Sequence, residues 1–336
     1  MKIVYFIESF DQKAGIERVT AAKANFFAET KGYDVTIISA YSQDAEDSYE
    51  LSPQVHRKCL GLKYVDDSRS FIIKNVQRLK VFIEAIVRFN KYVRDIEPDV
   101  IVYTWVLGAI LLPVTMRKAL KIYESHTPLH RIPFSFFQRF SAKCADKVVC
   151  LTNGDAKEYE RYTKNVIVIP NFVDNRGEKC PDYAVHKAIA VGRLSEEKGF
   201  DILLSAWKIA VEKNPDWILE IFGEGEKRSD LEEQIRSLKI GNSVVLRGNV
   251  ENVMSQYATS SLQIMTSRYE GLPMTLIEGQ TCGLPCVCTN FRYGASDVIE
   301  NGQNGIIVDV DDVEALASSM IQLMSNEQLR QKMGMN

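Results

Sequence analysis

The 336-residue sequence has no run of about 18 or more uncharged apolar residues, the length that a membrane-spanning helix requires. Its N-terminal apolar run, Lys2–Ile7, is short and is followed directly by Glu8 and Asp11, which is not the pattern of a cleaved signal peptide. The seven cysteines are scattered and odd in number, which favours reduced thiols over a disulfide framework. These absences predict a soluble cytoplasmic protein.

Several catalytic and nucleic-acid signatures are also missing. Neither G-x-S-x-G nor G-x-x-x-x-G-K-[ST] occurs, which argues against a serine hydrolase elbow and a P-loop. The net charge of −3 gives no reason to expect a nucleic-acid partner. The charges are unevenly spread, because residues 1–170 carry 25 basic and 20 acidic side chains and residues 171–336 carry 16 and 24. The basic excess of the first half would matter for an anionic partner such as a membrane surface.

Short β-rich runs alternate with helical stretches along the chain, which is the pattern of an α/β protein with parallel sheets. One series starts at Lys2–Ile7 and ends at Val166–Pro170, and a second runs from Ala188–Val191 to Gly305–Asp309. The stretch between them has no period and contains Asn, Asp, Gly, Glu and Pro. We therefore predict a domain at 1–170, a linker at 171–186 and a domain at 187–336. Two such domains form a cleft, and ligands bind at the carboxyl ends of parallel strands.

The densest signal is Thr266–Pro285, which reads TSRYEGLPMTLIEGQTCGLP. Glu270 lies in the loop after the predicted strand Leu262–Thr266, and a helix with unpaired first amides starts near Met274. Glu278 lies about one turn into that helix, so the two carboxylates would hold different hydroxyl groups of one polyhydroxy ligand. Taken singly, each glutamate reads more simply as a solvated acid. The whole segment resembles the E-x7-E segment of the retaining glycosyltransferases of family 4, which have two facing Rossmann-like domains, the GT-B fold.

A second segment, Val191–Phe200, reads VGRLSEEKGF and supplies a fork-shaped cation, Arg193, and a compact one, Lys198, suited to a diphosphate. It resembles the G-R-L-x-x-x-K-G segment of the same family, in which these residues bind the diphosphate of the donor. Without their position at the end of a strand and this resemblance, Arg193 and Lys198 would be interpreted more simply as two surface cations beside the start of a helix. Gly223 and Gly225 correspond to the family's G-x-G near the nucleotide, which alone is weak evidence because any tight turn accepts glycine.

Two weaker matches fall in the first domain. The string AGIERV at 14–19 resembles the family's G-G-x-E-R loop beside the donor phosphates, with Ala14 in place of the first glycine and Gly15 as the residue of close approach. Arg18 is equally well a cleft cation or a helix-surface charge. His126 follows the predicted strand Lys121–Glu124, where members of the family often place a histidine that reaches the transferred sugar. His130 is a weaker candidate.

The resemblance implies a retaining, metal-independent hexosyltransferase that moves a hexose or N-acetylhexosamine from a nucleotide diphosphate sugar, most often UDP-linked, to a saccharide or lipid-linked saccharide. In the fold that it implies, the Rossmann-like domain at 1–170 binds the acceptor and the one at 187–336 binds the nucleotide-sugar donor. No cofactor is expected. It implies that the catalytic residues are Glu270, His126, Arg193 and Lys198. It also implies that the donor is bound by Gly15, Arg193, Lys198, Gly223, Gly225, Gly271, Leu272, Pro273, Met274, Thr275 and Glu278. A nucleotide-sugar epimerase on the same fold and a non-catalytic sugar-nucleotide-binding protein remain the alternatives.

Three further patterns each have a structural and a functional interpretation. Asp309–Asp312 contains a D-x-D, the metal motif of other glycosyltransferases, but Asp311 or Asp312 is a natural helix N-cap. Cys282, Cys286 and Cys288 lack the paired spacing of a zinc site and read as buried thiols. The basic, apolar stretches 72–94 and 131–143 either pack on the core or lie on the inner face of an anionic membrane.

Overall fold

The chain, as a computed structural model, is described at residues 1–10, 15–41, 49–64, 71–115, 118–132, 135–173 and 181–336, without the side chains of 71–73. It divides into two compact units, Met1–Pro170 and Asn171–Asn336. The predicted linker, 171–186, falls in the second unit, and its residues 174–180 lie outside the described ranges together with Ala14.

The first unit alternates strands and helices from its N-terminus. In chain order its elements are β1 (Lys2–Ile7), α1 (Gly15–Glu29), β2 (Asp34–Tyr41), β3 (Val55–Leu62), α2 (Phe71–Ile96), β4 (Val100–Thr104), α3 (Trp105–Leu111), β5 (Leu120–Ser125), α4 (Phe136–Cys144), β6 (Lys147–Cys150), α5 (Asn153–Tyr159) and β7 (Val166–Val168). Short 3-10 turns follow α3 and β5.

The second unit repeats this alternation. Its elements are β8 (Lys187–Val191), α6 (Phe200–Lys213), β9 (Ile218–Phe222), α7 (Arg228–Leu238), β10 (Val244–Gly248), α8 (Val253–Ala258), β11 (Leu262–Met265), α9 (Met274–Thr281), β12 (Cys286–Thr289), α10 (Ala295–Val298), β13 (Gly305–Val308), α11 (Val313–Met324) and α12 (Glu327–Gly334).

Each unit contains one parallel sheet with helices on its faces. The first sheet has the order β3-β2-β1-β4-β5-β6-β7 and the second the order β10-β9-β8-β11-β12-β13. The central strand β1 is buried at every position but its first, as expected for a strand covered on both faces. In the first unit, side chains from α2, α3, α4 and α5 share one core and α1 packs on another. This is the doubly wound architecture that the alternating pattern predicts.

None of the helices in the described ranges is both long and apolar enough to cross a membrane. The longest, α2, extends over 26 residues and carries six basic and two acidic side chains.

The second unit contains a buried arginine that sequence reasoning missed. Arg330 on α12 is only 1% exposed, and its guanidinium donates hydrogen bonds to the carbonyls of Leu323 (2.7 Å) and Met324 (3.0 Å) at the end of α11. Its Nε donates to the carbonyl of Tyr183 at 3.2 Å, and it lies 4.9 Å from the ring centroid of Trp217. Burial lowers the pKa of Arg330. The Arg330 guanidinium thus satisfies two of the last carbonyls of α11 and links Tyr183 to them.

Replacing Arg330 with methionine should lower the free energy of unfolding by about 3 kcal/mol, because bonds from a charged donor each contribute about 1.5–3 kcal/mol and the carbonyls stay buried. Urea unfolding of the variant measures this loss. Arg236→Met, at an exposed position on α7, is the matched control and should change stability little. Equal effects of the two substitutions would contradict the assigned role.

Candidate active site

Three loops that carry predicted site residues follow three neighbouring strands of the second sheet. Strand β8 lies between β9 and β11, and all three run parallel, so their carboxyl ends meet at one edge. Arg193 follows β8, Gly223 follows β9 and Glu270 follows β11. The strand order reverses between β8 and β11, which is the position where open α/β sheets bind ligands.

Lys198 and Glu270 form an ion pair across two of these loops. The Lys198 Nζ lies 2.5 Å from Glu270 Oε1, and both side chains are largely buried. The hydroxyl of Ser267 donates a second hydrogen bond to the same oxygen at 2.7 Å. The two residues lie 72 positions apart in the chain, so the fold alone brings together the cation of one motif and the carboxylate of the other. Arg193 is exposed in the loop before Lys198, and no described carboxylate pairs with it.

Hydrogen bonds hold the two loops in register. The Thr266 hydroxyl donates to the carbonyl of Lys198 at 3.0 Å, and the amide of Arg268 donates to the carbonyl of Glu197 at 2.8 Å. The hydroxyl of Tyr269 donates to a carboxylate oxygen of Glu197 at 3.0 Å. These hydrogen bonds connect the loop that contains Lys198 to the loop that contains Glu270. They therefore hold the two charged side chains in fixed positions, as a preorganised charged site requires.

Arg268 is a second residue that sequence reasoning missed, although it lies inside the strongest motif. Its guanidinium bonds to both carboxylate oxygens of Asp201, at 2.7 and 3.1 Å, and to Asp311 at 3.1 Å. The hydrogen bonds to Asp201 raise the pKa of Arg268. Asp311 is thus an anchor for this arginine, while Asp312 caps α11 by accepting from the amide of Ala315 at 2.9 Å, as the capping interpretation predicts.

Packing within the second unit requires glycine at positions 223 and 225 of these loops. Gly223 has a φ of 136°, and a Cβ there would lie 1.9 Å from the carbonyl oxygen of Gly192. A Cβ on Gly225 would lie 2.3 Å from the carbonyl oxygen of Leu194. The close approach that these glycines permit is to the loop after β8. Their predicted contact with a donor stays a prediction.

The start of α9 follows Glu270, as predicted, at Met274. Pro273 occupies the N-cap position and no side chain caps the helix, which leaves first-turn amides available to an anion. Glu278 is only 2% exposed, and the Tyr257 hydroxyl donates to it at 3.3 Å. Glu278 is therefore an inward-facing residue and not a solvated helix acid, and its contact with a ribose stays a prediction.

The three clustered cysteines are buried as predicted. Cys286 and Cys288 lie on β12 and Cys282 directly follows α9, all three as free thiols. Burial raises the pKa of the Cys286 thiol well above its ordinary value. The neutral thiol is thus the favoured form, which suits a packing role.

In the first unit, His126 follows β5 and is anchored by a buried carboxylate. Its Nε2 lies 3.3 Å from Glu124 Oε2, and the other oxygen of Glu124 accepts from Lys23 Nζ at 2.9 Å. Burial alone would raise the pKa of Glu124, but the hydrogen bond from His126 and the charge of Lys23 outweigh it and lower the pKa to about 2. Glu124 is therefore a fixed anion that orients the imidazole.

Two acidic side chains of α5 hold the segment that follows His126. The amide of Leu129 donates to Asp155 Oδ1 at 2.9 Å, and the amide of His130 donates to Glu158 Oε2 at 3.0 Å. The ring of His130 lies 3.2 Å from the other Glu158 oxygen. His130 is thus part of the support of this loop.

Family models match both halves of the chain. The model described as "Glycosyltransferase Family 4" matches residues 14–176, and the model described as "Glycosyl transferases group 1" matches residues 184–336. The chain belongs to the group 1 glycosyltransferases. The two parallel sheets with flanking helices are the two domains of the GT-B fold.

Relatives of this glycosyltransferase align over nearly its whole length. The amylovoran biosynthesis glycosyltransferase AmsD of Erwinia amylovora is 28% identical over 98% of this chain and 92% of its own. An α-1,4-N-acetyl-D-galactosaminyltransferase of Campylobacter jejuni, whose name gives a GalNAc-containing saccharide on PP-undecaprenol, is 28% identical over 99% and 91%. A Staphylococcus aureus TarM structure with UDP, Fondaparinux and α-GlcNAc-glycerol superposes with a TM-score of 0.80 at 14% identity, covering 99% and 94%.

Glu8, which directly follows β1, is a second carboxyl group with a strongly shifted pKa. Burial, and then the charge of Glu17, raise the pKa of Glu8 to about 7.

Gly15 begins α1, and a Cβ there would meet no atom within 4 Å, so packing within the described residues does not require glycine. Its predicted donor contact stays a prediction.

The Glu8 carboxyl predicts a pH-dependent stability. Its folded pKa of about 7 lies above the unfolded value of about 4.3, so the native state holds the proton between these values and loses stability as the pH rises through them. Glu8→Gln, which cannot ionise, should therefore raise the melting temperature at about pH 8 and change it little at about pH 5. Glu29→Gln, at the exposed end of α1, is the control. The same shift at both pH values would refute the assignment.

Proposed function

We propose that this glycosyltransferase moves a hexose or N-acetylhexosamine, with retention of anomeric configuration, from a nucleotide diphosphate sugar to a saccharide acceptor. The observation that carries the proposal is the Lys198–Glu270 ion pair at the ends of β8 and β11. It brings together a cation suited to a diphosphate and a carboxylate suited to a sugar, each in its predicted motif. A UDP-linked donor is favoured because the TarM structure that superposes on this chain is a complex with UDP.

The diphosphate is the leaving group of the proposed reaction. The bond between the anomeric carbon and the diphosphate oxygen breaks, a bond from that carbon to the acceptor oxygen forms on the same face, and the acceptor proton leaves with the diphosphate. Arg193, Lys198 and the first amides of α9, within the segment Gly271–Thr275, would neutralise the negative charge as it develops. We propose that this electrostatic stabilisation operates without a metal or cofactor.

The sugar carries positive charge in the transition state of such a transfer. Glu270 would hold sugar hydroxyls and stabilise that charge, and His126, oriented by Glu124, would position the sugar. Glu278 would hold the ribose while sharing the Tyr257 hydroxyl. We propose a lipid-linked saccharide or a surface polysaccharide as the acceptor. This proposal is supported by the names of the two relatives, one of which gives amylovoran biosynthesis and the other a saccharide on PP-undecaprenol.

A thermal-shift screen against UDP-, GDP- and ADP-sugars tests the donor assignment, because a ligand that binds only the folded state raises the melting temperature. We expect a rise with UDP-sugars. The anomeric signals of the transferred sugar, followed by proton NMR, test retention. A donor that is consumed to its epimer without an acceptor would support the epimerase instead.

We also propose that the first unit contacts an anionic membrane at the inner face. An apolar stripe on α2, formed by Val76, Leu79, Ile83 and Val87, is between 53% and 64% exposed. Three phenylalanines on α4, Phe136, Phe137 and Phe140, are between 47% and 68% exposed. Both helices pack on the same core of the first unit. Lys80 lies beside the stripe together with the ion pair of Arg88 and Glu84. Because α2 carries six basic and two acidic side chains, a second copy of this helix would be repelled and an anionic lipid surface attracted.

Co-sedimentation with vesicles tests the membrane contact. The chain should pellet with phosphatidylcholine vesicles that contain phosphatidylglycerol and, because the attraction is screened, less at high salt. The variant Leu79→Ser/Ile83→Ser should lose most of the binding, whereas Val250→Ser, at an exposed valine of the second unit, should keep it. Equal sedimentation of both variants would overturn this proposal.

A further inference from the structure

The short helix α8 carries a tyrosine that reaches across to α9. Tyr257 is fully buried, with an exposed fraction of 0%, and belongs to a buried cluster with Ile189 and Phe222. Its helix is anchored at the start, because the Asn252 side chain accepts from the amide of Ser255 at 3.3 Å. Packing therefore sets the position of the ring, and the rigid ring sets the position of its hydroxyl oxygen.

The hydroxyl of Tyr257 lies between two acceptors of α9. It is 3.2 Å from the carbonyl oxygen of Thr275 and 3.3 Å from Glu278 Oε2. A tyrosine hydroxyl has one proton, so it donates one full hydrogen bond at a time. The carbonyl of Thr275 already accepts from Gln263 Nε2 at 2.6 Å, and a carboxylate is the stronger acceptor because it is charged. The proton of Tyr257 is therefore directed to Glu278.

This hydrogen bond fixes a torsion that a glutamate otherwise leaves soft. The last side-chain torsion of glutamate has broad preferences, so the plane of the carboxylate is set by its neighbours. Glu278 is nearly fully buried, and the bond to its Oε2 holds that plane in one orientation. A carboxylate has about four lone-pair positions, so the oxygen that accepts from Tyr257 can still accept from a ligand. The two oxygens are thus oriented for two neighbouring hydroxyl groups.

We propose that Tyr257 is a positioning residue for Glu278 and sets the preference of the chain for a ribonucleotide donor over a 2′-deoxyribonucleotide donor. The inference rests on the proposed function, in which Glu278 holds the ribose. A ribose offers two adjacent hydroxyls to a fixed carboxylate, and a 2′-deoxyribose offers one. A carboxylate free to turn would have to be ordered by the ligand, which weakens the gain from the second hydroxyl.

Calorimetric titration with UDP and 2′-deoxy-UDP tests this preference. The parent chain should bind UDP about tenfold more tightly than 2′-deoxy-UDP, because the 2′-hydroxyl bonds to a charged group. Tyr257→Phe keeps the ring and removes only the oxygen, and the preference should fall by about threefold or more. Most of the change should be a weaker affinity for UDP. An unchanged preference would overturn the inference.

Two further variants separate positioning from a general loss of packing. Tyr183→Phe also removes a tyrosine hydroxyl of the second unit, one that donates to the carbonyl of Gly283 at 2.7 Å, and should leave the preference unchanged. In a Glu278→Gln background, Tyr257→Phe should change the preference less than in the parent, because the two residues act on one ligand. Equal changes in the two backgrounds would contradict the positioning role.

Initial rates with a UDP-sugar show which step Tyr257 serves. Tyr257→Phe should raise KM and leave kcat nearly unchanged, because a ribose contact is made alike before and in the transition state. A fall in kcat without a change in KM would mean that Tyr257 supports the reacting centre, and would overturn the assignment to the ribose.

The parent titration distinguishes this inference from the function on which it rests. If the parent prefers UDP and Tyr257→Phe keeps that preference, the positioning role is wrong and the proposed donor chemistry stands. If the parent binds UDP and 2′-deoxy-UDP equally, the ribose is not selected and the inference is wrong, while the diphosphate assignment stands. If the parent binds neither nucleotide, the proposed UDP-linked donor fails and the inference fails with it.

Discussion

Glu270→Gln should lower kcat for sugar transfer by about 10²–10³-fold, the usual cost of removing one charged or dipolar group that stabilises a transition state. The amide keeps the size of the side chain and accepts from Ser267, but it loses the negative charge that would face the cationic sugar. Initial rates at saturating donor measure the effect.

The same variant should bind UDP at least as tightly as the parent. In the free protein Glu270 holds Lys198 at 2.5 Å, and a neutral glutamine releases that cation to a diphosphate. Glu212→Gln, at an exposed acid on α6, is the matched control and should change neither quantity. A Glu270→Gln enzyme with full kcat would show that our mechanism is wrong.

Lys198→Met should have the opposite effect on nucleotide binding. It should weaken UDP binding by about 10–100-fold, because a hydrogen bond from a charged group contributes about 1.5–3 kcal/mol, and lower kcat/KM for transfer at least as much. Calorimetry and initial rates measure the two quantities. Lys208→Met, which removes a more exposed lysine of the same unit, is the control.

The two substitutions should not be additive. Each breaks the same ion pair, so the kcat/KM of the Lys198→Met/Glu270→Gln double variant should fall by less than the product of the two single effects. Independent effects would mean that Lys198 and Glu270 do not act on one ligand.

The sequence predicted which loops lie together better than it predicted the contacts around them. Glu270 and Lys198 were identifiable because each follows a strand in a local motif, and parallel strands bring such loops to one edge. The last strands of the two predicted series end within two residues of the prediction: β7 ends at Val168 instead of Pro170, and β13 ends at Val308 instead of Asp309.

What the sequence did not reveal depends on long-range packing. Arg268 appears as one more surface cation until the fold places Asp201 and Asp311 beside it. Arg330 belongs to no motif in the sequence. Its burial becomes evident only in the fold, where its guanidinium bonds to carbonyls at the end of α11. Gly223 was predicted to approach a ligand, and the fold adds a packing requirement that the sequence did not show, because a Cβ there would lie 1.9 Å from the carbonyl oxygen of Gly192 in the neighbouring loop. Local pattern identifies chemistry, whereas partners distant in the chain are set by tertiary structure.

The central claim is that the loops after β8 and β11 bind the diphosphate of a nucleotide sugar. Calorimetric titration with UDP, UMP and uridine tests it most directly, because the three ligands share a base and differ in phosphate. UDP should bind at least tenfold tighter than uridine, and Arg193→Ala should remove much of that difference, since charge-assisted bonds to phosphate supply it. Equal affinities for UDP and uridine, or a difference that survives loss of both Arg193 and Lys198, would contradict the account.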